Sequence, residues 1–151
     1  MSKLFVDEIQ PKTTGGIIKI PSQVAFLAKK VGGGNATGII DFETTVINIG
    51  NGYSNSTYKF TAPVAGLYQL QTFCLSTNNA DANSLQIMIN NVRYAQGRID
   101  VGSSAHNTIS IFTIANLSVG DLVHVELAGG AITASTSDFN NFSGFLIGAS
   151  A

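Results

Sequence analysis

The sequence holds few residues whose types and spacing could support catalysis. It contains two histidines, His106 and His124, and one cysteine, Cys74. Ser, His and Asp all occur, but no Gly-x-Ser-x-Gly element marks a nucleophile on a strand-to-helix turn, and no spacing favours a catalytic triad. The glycines at 32–34 lead into no predicted helix, so they do not form a phosphate-binding loop. We therefore predict that this protein is not an enzyme.

Metal and cofactor chemistry has equally little support. Asp81, Asp100 and Asp138 lie in or near predicted loops and could offer oxygen ligands to calcium, but the spacing of an EF-hand is absent. We therefore expect no cofactor. Calcium is the one ion that these loops could bind, and no motif indicates it. His124 alternates with valines along a strand, which predicts a surface or interface position. Cys74 lies in an apolar strand and is expected to be a small buried residue.

The composition favours one domain whose surface is partly covered by partners. The chain has 151 residues, 44% of them hydrophobic, but only 11% are charged, against about 25% in average proteins. The net charge is −1 without a basic run, so we expect no nucleic-acid binding. No apolar run reaches the roughly 18 residues of a membrane span. The first residues lack the apolar region of a signal peptide, so we expect synthesis in a host cytoplasm and no secretion by that route.

The stretch Phe60–Tyr68 organises the rest of the chain. Pro63 and Gly66 bend the backbone into a tight corner, and a strand over 67–75 follows at once. Short β-branched segments separated by Gly and Asn turns indicate an all-β fold, either a sandwich, a jelly roll or a small barrel, with almost no helix. Further strands are predicted over 24–28, 39–43, 46–49, 85–89, 92–95, 108–114, 122–127 and 142–147.

The order of these segments resembles a known family, the globular head domain of complement component one, subcomponent q, which shares the tumour necrosis factor jelly roll. The resemblance covers about residues 24–149. The residues that carry it are Phe26, Phe42, Val46, Asn48, Gly50, Tyr53, the corner Phe60-x-x-Pro63-x-x-Gly66-x-Tyr68, the segment Leu85–Ile89 with Asn90-Asn91, Gly120-Asp121-x-Val123, and Phe142–Ile147.

This resemblance implies a ten-stranded jelly-roll sandwich over 23–151 that assembles as a homotrimer and binds partners without catalysis. We expect four aromatic residues to pack in the subunit core or the trimer, namely Phe60, Tyr68, Phe142 and Phe145. The loops at 32–36, 77–83 and 135–141 are the candidate surfaces for a partner.

Residues 1–22 differ from the rest and predict an extended N-terminal docking arm. Short apolar stretches are separated by polar residues, two prolines and a Gly-Gly pair, a pattern that is too broken for an independent core. The run from Val6 to Gly16, followed by Ile18–Pro21, resembles the leader of many bacteriophage fibre and appendage proteins. The residues expected to dock are Leu4, Phe5, Val6 and Ile9.

Together these observations predict a non-enzymatic structural protein on the surface of a phage virion, a homotrimeric fibre, knob or capsid decoration. Its partners would be its own copies, other virion proteins through residues 1–22, and a host cell-surface glycan or protein. The alternative is a free soluble trimer, lectin-like or cytokine-like. Head decoration and tail fibre are not separated by the sequence.

Overall fold

In the computed structural model, the described residues are 23–33, 37–76, 83–100, 107–133 and 138–149. The predicted docking arm, with Leu4, Phe5, Val6 and Ile9, lies outside these ranges, as do His106 and Asp81. The predicted partner loops are described only at their ends. Within the described ranges no helix is long and apolar enough to cross a membrane.

Every regular element of the described chain is a β-strand, as the alternating apolar pattern predicts. The eleven strands are β1 Ala25–Lys29, β2 Gly38–Ile39, β3 Thr44–Ile49, β4 Tyr53–Ser54, β5 Lys59–Thr61, β6 Gly66–Ser76, β7 Asn83–Ile89, β8 Val92–Ile99, β9 Asn107–Leu117, β10 Leu122–Gly129 and β11 Asn141–Ala149.

The strands form two antiparallel sheets with one core between them. Sheet A has the order β3-β1-β11-β6-β9, and sheet B the order β4-β5-β10-β7-β8, with β2 paired to β10. The long strand β6 pairs with the edge strand β9 along all eleven of its residues and with β11 along most of them. Its residues are buried at every second position, because successive side chains point to opposite faces of a strand.

Stacked aromatic rings tie the two sheets together. The Phe26 ring of sheet A stacks on Phe60 of sheet B with centroids 4.4 Å apart, and meets the edge of Phe142 at 4.8 Å. Tyr68 packs edge-on to Phe60 at 5.6 Å and donates its hydroxyl proton to the Val64 carbonyl at 2.8 Å. Phe60, Tyr68 and Phe142 are fully buried, so all three lie in the subunit core.

The Phe60–Tyr68 corner is tied to the turn that precedes β10. The Ala62 N–H donates to the Asp121 carbonyl at 2.9 Å, and the Ala62 carbonyl accepts from the Gly120 N–H at 2.9 Å. A side chain at Gly66 would collide with the backbone of β11 at Gly148 and Ala149. The glycine is therefore needed for the close approach of β11 where β6 begins.

Two sequence predictions about strands are wrong. The described residues form eleven strands rather than the ten that the resemblance implies. The sequence pattern predicted nine segments and missed β4 and β5, because strands of two and three residues are too short to show a period. The strand predicted over 39–43 covers only Gly38–Ile39. Ile40 and Phe42 are fully buried as their alternation suggested, but the Phe42 N–H bonds the Ile40 carbonyl two residues back instead of a neighbouring strand.

The close packing at Gly144 yields a stability prediction. A Cβ there would lie 2.8 Å from Phe26 Cε1 and 2.9 Å from the Gln69 carbonyl oxygen. Gly144→Ala should therefore lower the free energy of unfolding by about 1–3 kcal/mol through overpacking, measured by urea denaturation at one protein concentration. Gly148→Ala on the same strand meets nothing within 4 Å and is the matched control. Equal effects of the two changes would contradict this account of the packing.

A second prediction concerns acid stability. The Asp121 carboxylate accepts hydrogen bonds from Asn90 Nδ2 at 2.9 Å and from the Ser118 N–H at 2.8 Å, which hold its pKa below the ordinary value. The carboxylate therefore stabilises the fold fully above the unfolded pKa of about 3.9, and this contribution disappears as pH falls through the lowered folded pKa.

Asp121→Asn should weaken the turn by less than about 1 kcal/mol at pH 7, because the site is open to solvent and the new amide nitrogen faces a donor. The stability difference from the wild type should shrink at pH 3. Asp100→Asn, which breaks only an exposed pair with Arg98, is the control in the same urea titrations. A deficit that persists unchanged at pH 3 would refute the role of the Asp121 charge.

Candidate functional site

The outer face of sheet A, the side turned away from the core, carries a continuous apolar surface that we call the apolar face. Seven large side chains form it, each between 42% and 65% exposed: Ile47, Ile49, Leu67, Phe112, Ile114, Phe145 and Ile147. Monomeric proteins rarely expose contiguous apolar patches larger than a few hundred Å². Seven half-exposed side chains present on the order of 600 Å². The apolar face therefore has the character of an interaction surface.

The strand register explains why these side chains lie together. Residues paired directly across antiparallel strands point to the same face of a sheet and lie about 5 Å apart. One row crosses all five strands through Ile49, Ala25, Phe145, Gln69 and Ile114. The next row crosses them through Ile47, Leu27, Ser143, Gln71 and Phe112.

A groove of about 250 Å³ opens in the middle of the apolar face. Small residues at its floor, Ala25, Ser143 and Gly144, leave room that the larger residues around it enclose. Its wall is apolar at Leu27, Ile47 and Phe145, and polar at Gln69 and Gln71. The groove has no titratable side chain among its lining residues, so it is suited to apolar contact and amide hydrogen bonding rather than to acid–base chemistry.

Charge is nearly absent from sheet A. Its five strands contain one charged residue, Lys29, whose Nζ pairs with Asp138 Oδ1 at 2.7 Å at the margin of the face. The strands of sheet B, by contrast, carry Lys59, Arg93, Arg98 and Glu126. Buried interface cores are depleted in charged residues, and exposed surfaces are not. The two sheets therefore differ in the way that a buried face differs from a solvated one.

Two residues that could do chemistry, Cys74 and His124, lie in the described part of the chain, and both are buried. Cys74 is fully buried, and burial raises the pKa of its thiol to about 12, so it stays protonated at neutral pH. His124 is also fully buried within one subunit, with Nε2 2.9 Å from Glu126 Oε1, so the prediction of a surface or interface position is wrong. The described residues contain no group of three His, Cys, Asp or Glu that could hold a metal ion.

Two of the acidic residues considered for calcium are held in separate ion pairs. The carboxylate of Asp100 pairs with Arg98 at 3.1 Å, and that of Asp138 pairs with Lys29. Asp81 lies outside the described residues. In the first partner loop, the Glu43 carboxylate accepts hydrogen bonds from the Val31 N–H at 2.8 Å and the Gly32 N–H at 2.9 Å, so that it anchors the start of the loop.

Phe145 is the one predicted packing residue that lies outside the core. It sits on the apolar face, 44% exposed, whereas Phe60, Tyr68 and Phe142 point inward. Sequence reasoning did not single out Phe112 or Ile114. A signal for them exists: β9 has apolar residues at both alternation phases, the inward Ile109 and Ile111 and then the outward Phe112 and Ile114.

Comparison with known proteins gives a family and a fold. A family model described as the C1q domain matches residues 24–147. Human Multimerin-2 is 30% identical over 126 residues, which is 83% of this chain but only 13% of Multimerin-2. The chain therefore spans a small part of the length of this curated relative.

Solved structures repeat the architecture at lower identity. The globular domain of zebrafish complement 1qA protein superposes with a TM-score of 0.69 at 18% identity, covering 84% of this chain and 99% of that one. The Eiger TNF of S. frugiperda superposes with a TM-score of 0.68 at 11% identity, covering 86% of this chain and 96% of that one. At these identities the likeness establishes the shared fold alone.

Proposed function

The chain belongs to the C1q domain family, and from this premise we propose that it is a non-enzymatic binding module that works as a homotrimer through its apolar face. Domains of the C1q and tumour necrosis factor type assemble as homotrimers and generally act as binding modules rather than enzymes. The apolar face is the single observation in this chain that carries the proposal. It leaves Phe112 65% exposed in a sheet with one charged residue.

Water contact with such a face is unfavourable by roughly 25 cal/mol for each Å² of apolar surface. Covering it with identical faces removes that contact without requiring a second gene product. Obligate interfaces of this kind bury more than about 2,000 Å² and are more apolar than transient ones. A trimer would use sheet A for assembly and leave sheet B and the loops free for a partner.

The assembly is tested by mass. Size-exclusion chromatography with light scattering should give three times the subunit mass of 15.8 kDa for the wild type. Phe112→Asp places a charge in the apolar face and should shift the protein to the mass of one subunit, because an unpaired buried charge costs several kcal/mol. Gln96→Asp on exposed β8 of sheet B is the matched control and should remain trimeric.

A wild type that runs as a monomer at micromolar concentration would overturn the trimer proposal. A Phe112→Asp variant that stays trimeric would show that assembly uses another surface. Circular dichroism of both variants checks that each retains the fold, so that a change in mass reports assembly rather than unfolding.

We propose further that the trimer is a surface appendage of a phage virion, a fibre, knob or capsid decoration, and that residues 1–22 attach it to other virion proteins. The support is the resemblance of those residues to the leaders of phage appendage proteins. In this proposal the free end of the trimer meets a host cell-surface glycan or protein. A free lectin-like or cytokine-like trimer is the other candidate. It is supported by the same C1q-type domain and gives residues 1–22 no docking role.

Removal of the arm separates these two candidates. A chain that begins at Gln23 should form the same trimer but no longer co-sediment with phage particles. A full-length variant with Leu4, Phe5, Val6 and Ile9 changed to Ser keeps the length of the arm and should lose attachment equally. Attachment that survives both changes would refute the docking role. Failure to find the full-length chain on particles would refute the virion role and favour the free module.

A further inference from the structure

Two glutamine side chains lie in the middle of the apolar face. Gln69 stands between Phe145 and Ile114 in one cross-strand row, and Gln71 stands between Ser143 and Phe112 in the next. Both residues are half-buried on β6, which lies between β11 and β9. They place two amides among the apolar side chains of the face.

These two amides differ from that of Gln96, an exposed glutamine of sheet B. Gln96 on sheet B donates from Nε2 to Ser84 Oγ at 2.6 Å. Neither Gln69 nor Gln71 has a side-chain hydrogen-bond partner in the described structure. The backbone around them is already used, since β6 pairs with β11 on one side and β9 on the other. In a single subunit their amides are satisfied by water alone.

Covering the apolar face removes that water. An amide buried without a hydrogen bond costs about 1–3 kcal/mol, and each glutamine has two N–H donors and a carbonyl acceptor to satisfy. In its own cross-strand row Gln71 has one polar neighbour, the Ser143 hydroxyl, and Gln69 has none. One hydroxyl cannot satisfy two amides, so the surface that covers the face must supply further hydrogen-bond partners.

A second and third copy of this chain supply the matching groups. A glutamine amide is self-complementary, because its N–H donates and its carbonyl accepts. Residues that lie on a threefold axis meet their own copies, and there each amide can donate to the next around a closed ring. Gln69 and Gln71 are two residues apart on one face of β6, which separates two such rings by about 7 Å along the strand.

We propose that Gln69 and Gln71 form two rings of amide hydrogen bonds around the threefold axis of the trimer, and that this polar layer selects its register and stoichiometry. The inference rests on the proposed homotrimer and adds the residues that specify it. A buried polar residue within an apolar seam disfavours every arrangement that leaves it unpaired, at some cost in stability. The apolar face then supplies the affinity, and the two glutamines supply the selectivity.

The first test replaces Gln71 by a titratable residue, so that assembly should depend on pH. In Gln71→Glu, three carboxylates would meet at the axis, where like charges in a buried site cannot all be ionised. The variant should be trimeric near pH 4.5 and dissociate at pH 7.5, with an apparent dissociation constant at least roughly 100-fold weaker at the higher pH. Light scattering and analytical ultracentrifugation measure this. Gln96→Glu on exposed β8 is the matched control and should behave like the wild type at both pH values.

The second test measures proximity. A full-length Gln71→Cys variant treated with a short bis-maleimide should give covalently linked subunits on a denaturing gel. The wild type should not, because its Cys74 is buried. Gln96→Cys should give none, since β8 carries it on the other sheet. Gln71→Leu removes the amide while keeping an apolar side chain, and should give a broader distribution of masses than the wild type.

The outcomes separate this inference from the proposed function. A wild type that is not trimeric would overturn both. A trimeric wild type whose Gln71→Glu variant shows no pH-dependent dissociation, and whose Gln71→Cys variant does not crosslink, would overturn the amide rings and leave the trimer standing. Dissociation at both pH values with normal circular dichroism would also overturn the rings, because protonated carboxyl groups at the axis should restore assembly.

Discussion

The structure depends on one constraint: the side chains of β6 must fit the core on one side and the apolar face on the other. It is held between β9 and β11, so its backbone hydrogen bonds are used on both sides. Its inward residues fill the core, with Tyr68 and Leu70 fully buried. Its outward residues lie within the apolar face. Since the side-chain period of a strand is two, a slip of one residue would exchange the two sets and place the glutamines in the core.

The aromatic cluster fixes that register from the inside. Phe26 on β1, Phe60 on β5 and Phe142 on β11 meet in one packed group, although they belong to three strands far apart in sequence. The turn at Gly120-Asp121 holds the corner that leads from Phe60 into β6. Consequently the corner, the cluster and the outer face are coupled. A change in the core that moved β6 would also disorder the surface proposed for assembly.

The sequence predicted the core better than it predicted the face. Phe60, Pro63 and Gly66 mark the corner because turn chemistry is local and residue-specific. His124 shows the limit of local patterns. The alternation correctly predicts that its side chain points away from Val123 and Val125, but the outer side of sheet B is buried at that point, which no local pattern reveals. The apolar face was missed for the same reason. Ile49, Phe145 and Ile114 are about 30 to 100 residues apart along the chain, and only the register of five strands makes them neighbours.

An apolar face is also a liability, because nothing in hydrophobic contact alone tells three copies from two or from an open chain of subunits. Most proteins limit such contact with charge, and sheet A has a single lysine at its margin. An uncharged polar group is the remaining way to select one assembly. An amide that is buried unpaired is unfavourable, whereas the amides of identical copies do not repel one another. Gln69 and Gln71 stand among apolar side chains of the face, so an arrangement that covers them without pairing their amides is disfavoured. Sheet A can then evolve to select the assembly, while the loops and sheet B evolve separately to recognise an outside partner.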